Sequence, residues 1–391
     1  MDNNRWVLPE GIEELLPDEA QCIEQLRRDV LDLFSTWGYE LVIPPFVEYT
    51  DSLLTGIGSD LDLQTFKIID QKSGRMMGIR ADMTPQVARI DAHQLGREQP
   101  TRLCYMGTVL RTHADDLSAK RSLMQIGAEL YGDSSTQSDT EVVRLMLAML
   151  DQIKVPDIYL DLGHVGIFRG LVKQAGLSSD MEALLFDALQ RKATPEITEM
   201  LAQSSIDKDT RSMITELVWL NGGDQVLSKA REKLKAAGQP VKEAIDKLED
   251  ISSQLKRLNP QVELHFDLAE LRGYNYHTGV VFAAYTPGVG HSIAQGGRYD
   301  HIGEAFGRAR PATGFTADMR ALMEYAPKKQ SKKGIFAPGE DNESLLKTIA
   351  ELRSKGERVV MALPGQTMDA KSMGCDRVLE NKKGQWVISQ V

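Results

Sequence analysis

Hydrophobic residues recur every three or four positions shortly after the start of the chain. They are Ile23, Leu26, Val30, Leu33, Phe34 and Trp37. This spacing places them on one face of an amphipathic helix, which Asp18 is predicted to cap and Gly38 to end. The apolar segment YELVIPP follows, and its two prolines, Pro44 and Pro45, exclude a long central strand there. The chain is therefore predicted to begin with a helix and a short strand.

Strand-like segments dominate the next part of the chain. They are predicted at residues 65–70, 75–80, 101–111 and 123–131, and the turn-rich sequence QKSG joins the first two as a hairpin. The segment SDTEVVRLMLAMLDQI then predicts an amphipathic helix that Ser138 caps, with Glu141 completing a capping box. Alternating residues predict a further strand at 158–163.

Helical patterns replace the strands between about residues 166 and 258. Strand alternation returns at VELHFDL, where Val262, Leu264, Phe266 and Leu268 share one face. A mostly helical insert therefore interrupts a sheet-forming region. Beyond a glycine-rich stretch, a last helical segment is predicted from about 313 to 325.

The polar, lysine-rich segment APKKQSKK predicts a linker at residues 326–333. Residues 334–391 have the pattern of a strand, a helix, a strand and a short hairpin, which predicts a small α/β piece. Before the linker, runs of strands with few crossover helices favour an α+β core, an antiparallel or mixed sheet flanked by helices. We therefore predict a core at 1–325, with the helical insert inside it, followed by the linker and the α/β piece.

Composition narrows the classes of protein. The chain has 391 residues, 42% of them hydrophobic, and a net charge of −10, which does not suit a protein whose main task is to grip nucleic-acid phosphates. Its three cysteines lie far apart with no C-x-x-C pair, so neither a disulfide framework nor a metal site is indicated. Neither dinucleotide fingerprint occurs, and we expect no cofactor. The start lacks the apolar region of a signal peptide and no run is long enough to span a membrane, so we expect a cytoplasmic protein without a membrane partner.

Polar residues gather in four segments on or between the predicted strands. They are GIRADMTPQVAR (78–89), YMGTVLRTHADDLSAKRSLMQIGAEL (105–130), ELRGYNYHTG (270–279) and AQGGRYDHIG (294–303). Together they supply a carboxylate, a glutamine and a glutamate on one strand face, and an arginine beside two tyrosines. This set matches an amino-acid ligand, because a carboxylate can bind the α-ammonium and an arginine can bind the α-carboxylate in a fork. For histidine, Glu or Gln can accept a hydrogen bond from the imidazole.

Each of these residues also has an ordinary structural interpretation. Asp82 can cap a helix that starts near Pro85. Arg111 or Arg121 can form a salt bridge at the edge of a strand. Gln125 and Glu129 can belong to a solvated strand face, and Gly296 and Gly297 can be turn residues.

The same motifs resemble histidyl-tRNA synthetase and its relatives over roughly residues 5–325. LRGYNYHTGVVF is similar to the second histidine signature of that family, and GIRADMTPQVAR to its R-P-E-x-T loop. LRTHADDLSAKRSLMQIGAEL resembles class II motif 2, and GGRYDHIG and PATGFTADMRAL resemble the glycine-rich loop and motif 3. The resemblance implies the class II synthetase antiparallel sheet, and a dimer formed through motif 1 near WGYELVIPP.

The departures from the family pattern lie mainly on the ATP side. The family's F-R-x-E becomes Leu110–His113, which loses the carboxylate, and the phenylalanine that stacks on adenine falls at Leu123. The arginine that holds phosphate falls at Ala321, with Arg320 one place away. We therefore expect adenylation to be impaired. The histidine side keeps more of the pattern, with matches at Thr84, Gln125, Glu129, Arg272 and Tyr276 and departures at Asn275 and His277.

A weakened ATP side, a retained histidine side and a short C-terminal piece resemble the regulatory subunits of ATP phosphoribosyltransferase, a non-catalytic branch of this family. The resemblance implies that the chain activates a short catalytic subunit in the first step of histidine biosynthesis and mediates feedback inhibition by L-histidine. It also implies a hetero-octamer with that subunit, and no tRNA binding. The alternative is a divergent histidyl-tRNA synthetase or another adenylate-forming paralogue.

The resemblance finally implies roles for single residues. Arg272 would hold the histidine carboxylate, Tyr276 would orient the ligand and His277 would line the pocket. Asp82 and Thr84 would receive the ammonium, while Gln125 and Glu129 would face the imidazole. The whole predicted histidine-binding set is Asp82, Thr84, Arg111, Gln125, Glu129, Arg272, Tyr276 and His277, with no catalytic residue and no metal ligand.

Overall fold

The computed structural model describes residues 6–55, 59–114, 120–204, 206–271, 273–274, 276–327, 333–364, 366 and 369–391. The chain divides into two units, Met1–Pro327 and Lys328–Val391. The predicted linker covers this division, and its residues 328–332 lie outside the described part of the chain.

The described strands are β1 (Glu40–Leu41), β2 (Val47–Tyr49), β3 (Phe66–Ile69), β4 (Met76–Ile79), β5 (Thr101–Leu110), β6 (Ser122–Tyr131), β7 (Tyr159–His164), β8 (Asn221–Gly222), β9 (Glu263–Asp267), β10 (Val280–Tyr285), β11 (Ala294–Arg298), β12 (Ala312–Asp318), β13 (Gly334–Ala337), β14 (Val359–Met361), β15 (Cys375–Lys382) and β16 (Gln385–Gln390). The α-helices are α1 (Pro17–Thr36), α2 (Thr50–Leu53), α3 (Ser59–Gln64), α4 (Thr84–Arg89), α5 (Thr136–Ile153), α6 (Val165–Ala175), α7 (Ser179–Gln190), α8 (Thr194–Ala202), α9 (Lys208–Glu216), α10 (Gln225–Lys233), α11 (Gln239–Leu258), α12 (Met319–Leu322) and α13 (Glu343–Ser354). A π-helical turn, Ile90–Leu95, extends α4.

Among the described residues, a nine-stranded sheet forms the centre of the first unit, in the order β1-β5-β6-β12-β11-β10-β7-β9-β8. Its neighbouring strands are antiparallel except in two pairs, β1 with β5 and β7 with β9. The predicted α+β class is therefore confirmed, with a sheet that is mixed at these two places. A separate three-stranded sheet, β2-β4-β3, contains the predicted hairpin.

The helical insert is the crossover between the parallel strands β7 and β9. Helices α6 to α11 lie between them in the chain, from Val165 to Leu258. A parallel pair cannot be joined by a tight turn, so a long connection is required at this point. Helix α11 buries a stripe against the core that includes Val241, Ile245 and Leu248, as its amphipathic sequence predicts.

The two faces of the central sheet have different neighbours. Helices α1 and α5 share one apolar core with the sheet, and Phe34 of α1 meets Phe315 of β12 edge to face, with ring centroids 6.0 Å apart. Side chains alternate along a strand, so Gly314 and Thr316 lie on the opposite face. That face is covered near α4 by a second apolar cluster that includes Met83, Val87 and Tyr105.

Two predicted helix caps are wrong by two or three residues. Pro17 takes the first position of α1, where its missing N–H costs nothing, so the cap falls on Leu16, and Asp18 lies in the first turn. Helix α5 starts at Thr136 after the extended residue Ser135. Ser138 is therefore inside the helix, where its hydroxyl donates to the Ser135 carbonyl oxygen at 2.7 Å.

The predicted helix at 313–325 is wrong over its first half. Residues Ala312–Asp318 form strand β12, which pairs antiparallel with both β6 and β11, and helix α12 begins only at Met319. A strand buried on both faces carries no polar alternation, so its small and apolar residues do not indicate a strand by pattern.

The second unit contains the four-stranded sheet β14-β13-β15-β16 and helix α13. Strands β13 and β14 are parallel and joined by α13, and β15 and β16 form the hairpin whose turn contains Lys383 and Gly384. In neither unit do the described residues include a helix that is long and apolar enough to cross a membrane.

Candidate functional site

A cavity of about 480 Å³ opens on the face of the central sheet that carries Gly314 and Thr316. Strands β10, β11 and β12 form its base, and β7 reaches it at one end. The size falls within the range of small-molecule sites in proteins. Four members of the predicted set line this cavity together: Asp82, Thr84, Tyr276 and His277.

Asp82 and Thr84 stand at the entry to helix α4. The carboxylate Oδ1 of Asp82 accepts hydrogen bonds from the Thr84 backbone N–H, at 2.7 Å, and from Gln125 Nε2, at 3.1 Å. The Thr84 hydroxyl lies 3.0 Å from the hydroxyl of Tyr105. Asp82 thus contacts the first residue of the helix but does not cap it, because the cap position is Met83, and it also lines the cavity.

Gln125 lies behind this loop rather than in the cavity lining. Its Oε1 accepts from the Met83 backbone N–H at 2.8 Å, and its Nε2 also donates to the Thr316 hydroxyl at 2.9 Å. The side chain is buried, so the interpretation of this strand face as solvated is wrong. Gln125 joins the Asp82 loop to strand β12.

Glu129 also lies behind the lining, with 1% of its surface exposed. The Tyr105 hydroxyl donates to its Oε1 at 2.8 Å, and the Tyr299 hydroxyl donates to its Oε2. Burial raises the pKa of Glu129 to about 8, although both tyrosine hydrogen bonds act in the opposite direction. At neutral pH the group is therefore mostly protonated. Hydrogen bonds connect four side chains in one continuous chain, in the order Thr84, Tyr105, Glu129 and Tyr299.

Three glycines make room for this arrangement, and two of them were expected in a turn. Gly296 and Gly297 instead lie within strand β11. A methyl group at Gly297 would come within 2.6 Å of His277 Cδ2, and one at Gly296 would meet the Gly314 carbonyl oxygen. A methyl group at Gly314 would overlap the Glu129 carboxylate.

Tyr276 and His277 close the cavity from the segment before β10. The Tyr276 ring stacks on Tyr299, with centroids 5.0 Å apart, and its hydroxyl is buried without a hydrogen-bond partner among the described residues. Arg169 of the insert holds the segment by donating to the carbonyl oxygens of Tyr274, at 2.9 Å, and His277, at 3.3 Å. Arg272 and Asn275 lie outside the described residues.

Arg111 is another predicted site residue that lies outside the lining. It follows β5, and its Nε donates to the Ala81 carbonyl oxygen at 3.4 Å, next to Asp82. The Arg111 side chain does not line the cavity in this structure.

Sequence reasoning missed several lining residues. Tyr299 lay inside a quoted segment and lines the cavity. Tyr105, also inside a quoted segment, lies buried behind the lining, and Gly127, which pairs with it across the sheet, leaves room for its ring. At the far end of the cavity, Phe186 of α7 packs on Tyr274 with centroids 5.3 Å apart. No local pattern places a residue of the insert there.

The residues that correspond to the ATP side of a synthetase are engaged within the chain. Arg121 donates from Nη1 to the Glu10 carbonyl oxygen at 3.1 Å, and Arg320 from Nη1 to the Glu13 carbonyl oxygen at 3.3 Å. Leu123 packs against the apolar cluster that contains Tyr105. Residues 115–119 of the motif 2 segment lie outside the described part.

Comparison with known proteins identifies the family. Residues 11–322 match the family model described as histidyl-tRNA synthetase, and residues 332–389 match that of the ATP phosphoribosyltransferase subunit HisZ C-terminal domain. The chain is 56% identical to the ATP phosphoribosyltransferase regulatory subunit of Thioalkalivibrio sulfidiphilus, over 100% of both chains. It is 55% identical to that of Pseudomonas savastanoi pv. phaseolicola, over 98% of each. The chain belongs to the family of ATP phosphoribosyltransferase regulatory subunits.

Solved structures agree on the fold. The ATP phosphoribosyltransferase regulatory subunit/histidyl-tRNA synthetase from Bacillus halodurans superposes with a TM-score of 0.84 at 26% identity, over 96% of this chain and 97% of that one. Histidyl-tRNA synthetase from Nostoc sp. gives 0.78 at 17% identity, over 98% and 97%. The class II synthetase-like fold predicted from the motifs is therefore confirmed.

Family membership also confirms the predicted function at its general level. The chain is a non-catalytic, regulatory subunit of ATP phosphoribosyltransferase and acts in histidine biosynthesis. A regulatory subunit of this kind works with a catalytic partner.

Proposed function

We propose that this regulatory subunit binds L-histidine in the cavity and controls the activity of a short catalytic subunit. It activates that subunit when the cavity is empty and inhibits it when histidine fills the cavity. The observation that carries the proposal is the meeting of Asp82, Thr84, Tyr276 and His277 in one cavity, above the buried chain of Tyr105, Glu129 and Tyr299.

The cavity offers complementary groups for each part of histidine. The Asp82 carboxylate and the Thr84 hydroxyl can accept from the α-ammonium group. The Tyr276 hydroxyl, which has no hydrogen-bond partner among the described residues, can bond an imidazole nitrogen. Glu129 lies behind the lining and acts on the cavity through Tyr299, which donates to it and lines the cavity. Arg272 would hold the α-carboxylate.

The residues on the ATP side favour regulation over adenylation. Arg121 and Arg320 already donate to backbone carbonyl oxygens of the N-terminal segment. Leu123 and Ala321 provide neither a stacking ring nor a charge for ATP.

Self-association as a dimer is part of the proposal, within a hetero-octamer with the catalytic subunit. Strand β1 is an edge of the central sheet, and the apolar residues beside it are exposed: Leu41 by 45%, Ile43 by 74% and Phe46 by 42%. Exposed edges with large apolar side chains are usually covered by a partner in natural proteins. A second copy of the chain is the proposed cover.

Hydrogen bonds connect this edge to the cavity. Gln86 Nε2 donates to the carbonyl oxygen of Pro45 and to Glu48 Oε1, both at 2.8 Å, and Arg89 donates to the same carboxylate oxygen at 2.6 Å. Gln86 and Arg89 lie on α4, whose first residue is the cavity residue Thr84. Histidine that holds the start of α4 would therefore bias the position of the β1–β2 segment.

The test is an activity assay with the short catalytic subunit of the same organism. Phosphoribosyltransferase turnover is measured alone, with this chain, and with this chain and histidine. We expect activation by the chain and loss of that activation with histidine. An unchanged rate in all three mixtures would overturn the proposal, and activation that histidine does not affect would remove histidine from it.

A further inference from the structure

A second concavity, of about 430 Å³, lies between the end of α1 and helices α5 and α11. Its lining includes Trp37, Gln137, Thr140, Arg144 and Gln254, and it shares no residue with the histidine cavity. Gln137, Thr140 and Arg144 are three, four and seven positions apart along α5, so they form one stripe on that helix.

Arg144 is a cation without a counter-ion among the described residues. Its guanidinium lies over the Trp37 ring, 5.3 Å from the ring centroid, and makes no hydrogen bond or ion pair with the residues that the structure describes. Its Nε is buried and unpartnered. The neighbouring charges balance each other, because Arg102 makes a two-point bond to Glu141 at 2.6 and 2.8 Å. The lining is therefore net positive on a chain of net charge −10.

Thr140 provides an independent observation. Its side chain is 2% exposed, and its hydroxyl has no hydrogen-bond partner among the described residues, although it borders the concavity. Buried hydroxyls are normally paired with protein, ordered water or a ligand. A helical threonine usually satisfies itself on the carbonyl oxygen of the previous turn, and Thr140 does not.

Hydrogen bonding to the C-terminal end of helix α1 does not explain the position of Arg144. Two carbonyl oxygens in the last turn of that helix, those of Phe34 and Ser35, accept from the backbone N–H groups of Trp37 and Gly38 at 3.0 Å each. The guanidinium makes no hydrogen bond to either.

We propose that this concavity is a binding site for a phosphate group, held by the Arg144 guanidinium, the Thr140 hydroxyl and the Gln137 amide. A guanidinium fork matches the geometry of a phosphate group, and the hydroxyl and the amide add two further donors beside it. The remaining volume leaves room for a small organic group attached to the phosphate. The site is separate from the proposed histidine site and does not depend on it.

The experiment uses the full-length chain and potassium phosphate as the probe, at constant ionic strength, with calorimetry and melting temperature as readouts. We expect binding with a Kd of about 10 mM or below. R144A should weaken it by at least about tenfold. T140V should keep or raise the melting temperature in phosphate-free buffer, because it removes an unpaired buried hydroxyl, yet lose most of the stabilisation by phosphate. R257A, which removes an exposed arginine of α11 outside the lining, is the charge-matched control and should bind as the wild type does.

Each other outcome overturns the assignment. Equal phosphate binding by wild type, R144A and T140V, or its displacement by chloride at the same ionic strength, would mean an adventitious ion only. If acetate bound as tightly as phosphate, and R144A and T140V lost that binding, the site would be a carboxylate site. Absence of binding to the wild type would remove the site altogether.

Discussion

Tyr299 donates a hydrogen bond to Oε2 of Glu129 behind the base of the cavity. The two residues are 170 positions apart in the chain, and the pairing of β12 between β6 and β11 brings them together. Tyr299 also stacks on Tyr276. The contact therefore links a buried, mostly protonated acid to a ring that lines the cavity.

The raised pKa of Glu129 predicts a pH-dependent cost to stability. Folded Glu129 keeps its proton up to about pH 8, whereas the unfolded chain releases it near the ordinary value of 4.5. Between these limits the folded state binds more protons, so the free energy of unfolding falls as pH rises, by about 1.4 kcal/mol per pH unit from this group. E129Q should therefore gain stability relative to wild type from pH 5 to pH 8, as measured by urea unfolding. A difference that stays constant with pH would contradict this.

A methyl group at Gly314 should destabilise the chain. It would overlap the Glu129 carboxylate and the Ala128 carbonyl group within the central sheet, and such overpacking costs about 1–3 kcal/mol. G314A should therefore lower the melting temperature and weaken histidine binding. G290A is the matched control, since Gly290 has open space around it and should change stability by less than about 0.5 kcal/mol. Equal melting temperatures for the two variants would refute the predicted overlap.

D82N separates ligand recognition from folding. The asparagine oxygen can still accept from the Thr84 N–H, so unliganded stability should stay near wild type. The charge that receives the ammonium is lost, and a hydrogen bond to a charged group is worth about 1.5–3 kcal/mol, so the Kd for histidine should rise by about 10- to 100-fold in calorimetry. Wild-type affinity in D82N would show that the ammonium binds elsewhere.

R272A should abolish histidine binding and leave the fold intact. Arg272 is the proposed partner of the histidine carboxylate, and removing a two-point guanidinium contact costs the ligand its strongest anchor. Calorimetry measures the loss, and circular dichroism checks the fold. Binding as tight as in wild type would refute the assignment.

E48Q tests the proposed route from cavity to edge. Glu48 accepts hydrogen bonds from both Gln86 and Arg89 of α4. In E48Q the side chain is a neutral amide, which weakens the contact with the charged Arg89. Histidine should bind within about threefold of wild type, whereas inhibition of the complex should need about fivefold more histidine or more, since allosteric couplings amount to about 1–3 kcal/mol. D51N, in the neighbouring exposed pair with Arg75, is the control. Unchanged inhibition in E48Q would exclude Glu48 from the route.

Periodicity predicted the elements whose pattern is amphipathic or alternating. Helices α1 and α11 lie where the sequence places them, because one side of each meets the core. Strands β5 and β6 also lie where they were predicted, although β6 is buried along most of its length. Strand β12 was missed because it too is buried on both faces, and its small residues show no alternation. Caps were misplaced where Pro17 and Ser135 set the helix start through backbone conformation.

The sequence by itself determined the family, the order of the motifs and the chemical types in the candidate site, since these depend on which residues are present and how they are spaced. Only the tertiary structure decided which of them line the cavity. Asp82, Thr84, Tyr276 and His277 do, whereas Gln125 and Glu129 lie behind it and Arg111 beside it. The physical reason is that burial and protonation depend on strands paired across distant parts of the chain, and no local pattern specifies that pairing.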